Sequence, residues 1–174
     1  MRVSQPTGSP LLVVIGVSGS GKSTVGELLA TSLGVPFVDA DDLHTEVNVR
    51  KMAAGRPLDD DDRWPWLRKV GQVLAEAEKA GTGVVIACSA LKRSYRDAIL
   101  TEAPNARFIL LDGPRDILAE RLGDRRGHFM PATLLDSQLA TLQPLKPDEP
   151  GVIVMIDRAP AQIVDKTRAK LAAL

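Results

Sequence analysis

The chain has one cysteine, no net charge and no long apolar run, and each shortage removes a class of protein. The lone thiol, Cys88, has no internal partner for a disulfide, and its place in an apolar run reads as a packed residue in a reducing compartment, not a reactive group. Lysine plus arginine equals aspartate plus glutamate at 22 each, so nothing general attracts nucleic acid or an acidic membrane. Any basic site must be local. No apolar stretch approaches the roughly 20 residues that cross a bilayer. Residues 1–10 carry Ser4, Pro6, Gly8, Ser9 and Pro10 without an apolar core, which reads as a flexible lead-in rather than a signal peptide. There is no internal repeat and no low-complexity tract. The expected setting is the cytoplasm.

What remains is ordinary for a folded globular chain. Hydrophobic residues make up 44% and charged residues 25% of 174, enough for one domain, here residues 11–174, with a substantial core. Short apolar runs at 11–15, 35–38, 84–88, 108–111 and 152–156 alternate with helical patterns. This predicts an α/β fold, a five-stranded parallel sheet with helices on both faces. Ligands then bind beyond the carboxyl ends of the strands. Two connections are too long and polar to be plain crossovers: a segment at about 40–80, and a glycine- and arginine-rich one at about 121–131 that reads as a lid.

Directly after the first run stands Gly16-Val17-Ser18-Gly19-Ser20-Gly21-Lys22-Ser23-Thr24, which satisfies G-x-x-x-x-G-K-[ST] at every specified position. It falls between a strand and an amphipathic helix with Val25, Leu28, Leu29 and Leu33 at helical spacing, where the pattern has mechanical meaning. Backbone N–H groups from Gly16, Gly19, Ser20, Gly21 and on to Thr24, with the positive end of the helix dipole, converge on phosphate. Lys22 reaches the terminal phosphates and Ser23 ligates Mg²⁺.

Asp39-Ala40-Asp41-Asp42 closes the second run beside that loop. Strand alternation points Asp39 and Asp41 the same way, so one carboxylate supports Mg²⁺ while the other, Asp41, orients or deprotonates an incoming hydroxyl. Asp42 is placed as a cap for the following helix. His44, Asn48, Lys51 and Met52 share one face of a helix over 45–54, where His44 suits a cap or a ligand contact equally. In Asp59-Asp60-Asp61-Asp62-Arg63-Trp64-Pro65-Trp66 four adjacent acids cannot all converge on one ion, so they read as cap and dipole partners of a helix that starts near Arg63, with Pro65 in its first turn. Arg63, beside aromatics, suits a carboxylate or phosphate clamp. After the third run, Ser89 and Lys92 fall in the ligand crevice, while Arg93 and Arg96 are placed on a helix surface. Asp112 reads as a turn residue. In the lid, Arg121 and Arg125 suit neutralisation of a transferring phosphoryl group, and Arg126 reads as a solvated surface residue.

Taken together, these residues resemble the small bacterial gluconokinases. The segments that carry the likeness are Val17 to Ser23, Asp39-Ala40-Asp41 with Leu43-His44, Asn48 with Lys51-Met52, and Gly55 with Pro57-Leu58 leading to Asp62-Arg63 and Pro65-Trp66-Leu67. Cys88-Ser89-Ala90-Leu91-Lys92, Tyr95-Arg96-Asp97 and Gly127-His128-Phe129 extend it. The resemblance spans about residues 11 to 165. It implies a P-loop kinase similar in fold to shikimate and nucleoside monophosphate kinases, ATP and Mg²⁺ as cofactors, and transfer to the 6-hydroxyl of D-gluconate. It also implies a homodimer.

On that reading Lys22, Asp41 and Arg125 are catalytic, and Ser23 and Asp39 hold the metal. Gly16, Gly19 to Thr24 and Arg121 bind nucleotide, while Asp41, His44, Arg63, Lys92, Arg125 and His128 bind the acceptor. Thr45 stands where a proline commonly follows the histidine, and Gln143 where Glu often precedes Pro144. The alternatives are a kinase of shikimate or a nucleotide on the same fold, and a non-catalytic nucleotide switch. Against the switch, the nearest match to a guanine-reading Asn-Lys-x-Asp is Leu145-Lys146-Pro147-Asp148, which lacks the Asn.

Overall fold

A computed structural model describes residues 8–123 and 132–174. Its centre is a parallel sheet in the order β2-β3-β1-β4-β5, formed by Leu11–Ile15 (β1), Phe37–Asp39 (β2), Val84–Ala87 (β3), Arg107–Asp112 (β4) and Gly151–Met155 (β5). β1 is buried at all five positions because both faces of the sheet are covered, the reason its sequence is a continuous apolar run and not an alternation. The second strand begins later than its apolar run does. Pro36 has no N–H for the ladder, and only its carbonyl takes part, accepting from Val85 N.

One face is covered by α3 (Asp60–Ala80) and α4 (Arg93–Glu102), whose Trp66, Leu67, Val70, Leu74 and Ile99 pack on Leu11, Val13 and Ile15. The other carries α1 (Lys22–Leu33), α5 (Arg115–Gly123), α6 (Ala132–Thr141) and α7 (Pro160–Ala172), with Val25, Leu29, Leu118, Leu135 and Ile163 on Leu12 and Val14. A Cβ on Gly71 of α3 would lie 2.6 Å from Glu102 Cβ and 3.0 Å from the Ile99 carbonyl. Glycine there lets α3 and α4 touch.

The connection from β2 to α3 holds a 3-10 turn, Ala40–Leu43, and a short helix α2, Glu46–Ala53. Three expectations change here. Asp42 caps nothing; the cap of α2 is Thr45, whose hydroxyl accepts from Asn48 N at 3.1 Å, so the residue in place of the usual proline has a helix end to hold. α3 starts at Asp60 rather than near Arg63, because Asp59 and Asp62 form a reciprocal capping box. Pro65 therefore falls in the second turn. Of the lead-in, residues 1–7 lie outside the described residues. Ser9 donates to the Gly81 carbonyl, and the Pro10 carbonyl accepts from Val84 N.

Among the described residues no helix is long and apolar enough to cross a membrane.

Candidate active site

The first connection leaves β1 at the centre of the sheet, between neighbours whose crossovers run in opposite directions. That is the point where open parallel sheets form a crevice. Its glycines are demanded by space and backbone. Gly19 and Gly21 have φ of 83° and 90°, and a Cβ on Gly19 would stand 2.8 Å from Leu122 Cγ. A Cβ on Gly16 would stand 2.7 Å from Ser20 Oγ, which is fully buried and has no partner among the described residues. Gly21 caps α1 and brings no side chain over its first N–H groups. A loop of this shape at a helix N-terminus fits an anion, and specifically the phosphates of a nucleotide.

The charged groups follow from the same geometry. Lys22, the first residue of α1, donates from Nζ to the Val17 carbonyl at 3.1 Å, folding its ammonium back over the loop. Thr24 is exposed on the first turn. Arg121 comes from the last turn of α5. Its Nη1 lies 3.7 Å from where a Gly21 Cβ would be, and its guanidinium donates to the Ile156 carbonyl. Ser23 Oγ donates to Asp39 Oδ2 at 3.3 Å. These two hard oxygen donors suit Mg²⁺, which keeps most of its shell as water and phosphate oxygen. Among the described residues no group of three or more His, Cys, Asp or Glu side chains could hold a metal.

Asp39 also joins the loop to the opposite side of the crevice. Its Oδ1 accepts from Asp41 N at 3.0 Å and caps the 3-10 turn. This corrects the argument from alternation: β2 ends at Asp39, and Asp41 lies in the turn, where the two-residue period no longer applies. The two carboxylates are still close enough for their charges to interact. Although the residue keeps solvent exposure, desolvation and then the Asp39 charge raise the Asp41 pKa, opposed by His44 and Lys22.

His44 stacks on Trp66, with ring centroids 4.2 Å apart and planes at 15°. Trp66 is held by its Nε1 donating to the Ala40 carbonyl at 2.7 Å. The buried Asn48 amide nitrogen donates to the Asp62 carbonyl at 2.8 Å and lies 3.3 Å from His44 Nδ1. An amide nitrogen cannot accept, so His44 Nδ1 is the acceptor and the ring is neutral with its proton on Nε2. Its pKa is lowered, chiefly by burial, in agreement with that assignment. Lys51 completes the support through an ion pair with Asp62.

Arg63 and Lys92, read separately in the sequence, meet at Tyr95. Arg63 Nη1 is 3.3 Å from the Tyr95 hydroxyl, and both cations lie over its ring, at 5.6 and 5.4 Å. The hydroxyl donates to Asp60 Oδ1 at 2.5 Å, and the same oxygen lies 3.7 Å from Arg63 and 3.6 Å from Lys92. Burial, then the bond to Asp60, raises the Tyr95 pKa, keeping it a phenol. Two half-exposed cations sharing one carboxylate retain capacity for a further anion.

Several of the residues that build this site were not legible as such. Tyr95 and Asp60, 35 positions apart, bond to each other and so link Arg63 with Lys92, and the local signal was the Lys92 to Tyr95 spacing of a helical turn. Gln138 of α6 grips the phosphate loop: its Oε1 accepts from Ser18 N at 2.7 Å and its Nε2 donates to Ser18 Oγ at 3.0 Å. Nothing local to Gln138 signals that. Arg96, placed on a helix surface above, is wholly buried against Glu149, while Arg93 is part-exposed and bonded to Asp148. Asp112, expected in a turn, is instead the last residue of β4, in register with Met155, and its Oδ1 accepts from Gly113 N at 2.9 Å. Arg125, Arg126 and His128 lie outside the described residues.

A parallel sheet with a glycine cradle at its switch point defines the class, a P-loop kinase. A family model described as an AAA domain matches residues 11–145. The gluconokinase of Gluconobacter oxydans is 48% identical over 155 residues, covering 89% of this chain and 87% of that protein. The thermoresistant gluconokinase of Escherichia coli is 42% identical over 158 residues, 90% of each. A crystal structure of a gluconokinase from Sinorhizobium meliloti aligns at a TM-score of 0.85 and 48% identity, over 94% of this chain and 92% of that one. The chain belongs to the gluconokinase family. Shikimate kinase from Aquifex aeolicus, at 19% identity and a TM-score of 0.62, shares the fold.

Proposed function

We propose that this kinase transfers the γ-phosphoryl group of ATP to the 6-hydroxyl of D-gluconate, giving 6-phospho-D-gluconate and ADP. The observation that supports the reading is the chain of contacts Ser23 to Asp39 to Asp41, which ties the turn bearing the Asp41 carboxylate to the phosphate loop. Ser23, with Asp39 in support, would hold Mg²⁺, which would supply positive charge against that of the phosphates. Asp41 accepts the proton of the hydroxyl as its oxygen bonds to phosphorus and the bond to the ADP oxygen breaks. Lys22, Arg121 and Arg125 stabilise the charge that spreads over the transferring group. Arg63 and Lys92, with His44 and His128, hold the acceptor. The pair of cations at Tyr95 suits its carboxylate, and the neutral His44 suits a hydroxyl. The same reading makes the protein a cytoplasmic homodimer of one domain, whose segments at about 40–80 and 121–131 serve acceptor and lid.

ADP release measured with gluconate, shikimate, nucleoside monophosphates and no acceptor tests the reading. Gluconate-dependent release supports it. Release with shikimate but not gluconate overturns the substrate, and stoichiometric nucleotide binding without acceptor-dependent turnover revives the switch.

A further inference from the structure

The Arg96 side chain is wholly enclosed, and its partner Glu149 leaves 2% of its side chain exposed. Arg96 Nε and Nη2 donate to the two oxygens of Glu149 at 2.7 and 3.1 Å, and Nη1 donates to the carbonyls of Ala90 and Leu91, each at 3.2 Å. Those carbonyls belong to the irregular connection between β3 and α4, immediately before Lys92. The same connection is held a second time from the same side. Gln143 N donates to the Leu91 carbonyl at 2.8 Å, Gln143 Oε1 accepts from Arg93 N at 2.8 Å, and Arg93 makes a two-point contact with Asp148. Glu149 in turn accepts from Lys146 N at 2.9 Å, fixing the 145–150 turn that supplies these partners.

A buried ion pair is a poor device for stability alone, since apolar residues of like volume commonly do as well. What this pair does that an apolar pair cannot is fix two backbone carbonyls. The residue that follows them is Lys92, which opens α4 with no side-chain cap and extends over Tyr95 toward Asp60. A lysine is flexible, so the place of its ammonium depends on where its backbone starts.

We infer that Arg96 and Glu149 are positioning residues for the acceptor site: they hold the connection after β3 so that Lys92 projects beside Arg63. Neither touches substrate. The inference rests on the reading of Lys92 as an acceptor-binding residue given above.

The test measures kcat, the KM for gluconate, the KM for ATP and the thermal midpoint in R96M/E149M, R96K, K92M and the combination of R96M/E149M with K92M. The double apolar variant keeps the core filled and removes the clamp. It is expected to melt cooperatively with the KM for gluconate raised about tenfold or more and the KM for ATP changed by less than about twofold. R96K, whose single ammonium cannot serve both the carboxylate and the two carbonyls, is expected to lie between it and the unaltered protein. Adding K92M to the double variant is expected to raise the KM for gluconate little further, because clamp and lysine act as one unit.

A lowered thermal midpoint with both KM values unchanged makes the pair purely structural and overturns the inference, as does full additivity with K92M. If R96M/E149M does not fold, R96K decides between the same outcomes. An unchanged KM for gluconate in K92M alone removes Lys92 from the acceptor site and takes the inference with it. A protein that does not turn over gluconate at all sinks the proposed function before any variant is made.

Discussion

His44 lies flat against Trp66, and Trp66 is fixed to the carbonyl of Ala40, one residue before Asp41. The indole thus holds at once the His44 imidazole and the turn that carries Asp41, the two groups proposed to meet the acceptor. Trp66→Phe keeps a ring for the stack and removes the Nε1 donor, leaving the buried Ala40 carbonyl short of a partner. The expected result is a loss of about 1 kcal/mol of stability, seen in denaturant unfolding, with a raised KM for gluconate and an unchanged KM for ATP. An effect on the KM for ATP alone would contradict the assignment of this face to the acceptor.

The neutral state of His44 has a consequence for stability. Its folded pKa lies below the ordinary imidazole value, burial being the main cause, so the unfolded chain takes up the proton first as pH falls. The contribution from His44 is therefore complete above about pH 6.5 and is lost as pH drops below that toward the folded value. His44→Gln removes this slope. Subtracting its unfolding free energies from those of the unaltered protein between about pH 5 and 7.5 isolates the histidine from the carboxylates. A difference that stays flat over that range would mean His44 is not held neutral.

The phosphate loop was legible in the sequence, while on the other side of the crevice the sequence marked candidate residues but not their arrangement. The phosphate loop needs a strand, glycines and a helix start in sequence order, so all of its information is local. Asp39 and Asp41 were marked by their position after a strand, but the two-residue period failed at the first residue of the 3-10 turn. Arg63 and Lys92 were each visible as cations in a crevice. That they converge on Tyr95 depends on α3 lying against α4, a contact set by Gly71 and the apolar faces of both helices. Arg96 shows the limit most clearly. In a helical pattern its charge predicts solvent, and only Glu149, 53 positions away, makes burial tolerable.

Cys88 gives a chemical test of the fold. It follows the last residue of β3, and burial pushes its thiol up to about 12, so at neutral pH the thiolate is scarce and the sulfur inaccessible. Alkylating reagent is expected to leave activity intact in the native protein and to label the cysteine only after unfolding. Mass spectrometry of the intact chain before and after denaturation checks both. Rapid native labelling with loss of activity would show that the end of β3 opens to solvent.

Gln138 ties α6 to the phosphate loop through two hydrogen bonds to Ser18. Gln138→Leu removes both and orphans the Ser18 amide, at about 1 kcal/mol per bond. Because Ser18 is in the loop and far from Arg63 and Lys92 in sequence, the loss is expected in nucleotide affinity: a rise of about tenfold or more in the KM for ATP, with the KM for gluconate little changed. Gln138→Glu keeps the acceptor for the amide but adds negative charge beside the phosphates, and is expected to be worse than Leu in turnover. Equal rises in both KM values would instead point to a general loosening of α6.

On the proposed reading Asp41 is the residue on which transfer most depends, and its titration distinguishes a base from a bystander. Burial and the charge of Asp39 raise its pKa, so the acid limb of kcat/KM is expected above the ordinary carboxylate range, with activity falling as the pH drops through it. Asp41→Asn should lower kcat by about 10²- to 10⁴-fold while nucleotide still binds, and near-normal turnover would remove Asp41 from the mechanism. Asp39→Asn supplies the finer test. It weakens the metal site, so the rate falls, but it also removes the Asp39 charge, which after burial is the next cause that raises the Asp41 pKa. The remaining activity should therefore show an acid limb displaced to lower pH, a shift in position that loss of metal affinity alone does not produce when Mg²⁺ is saturating.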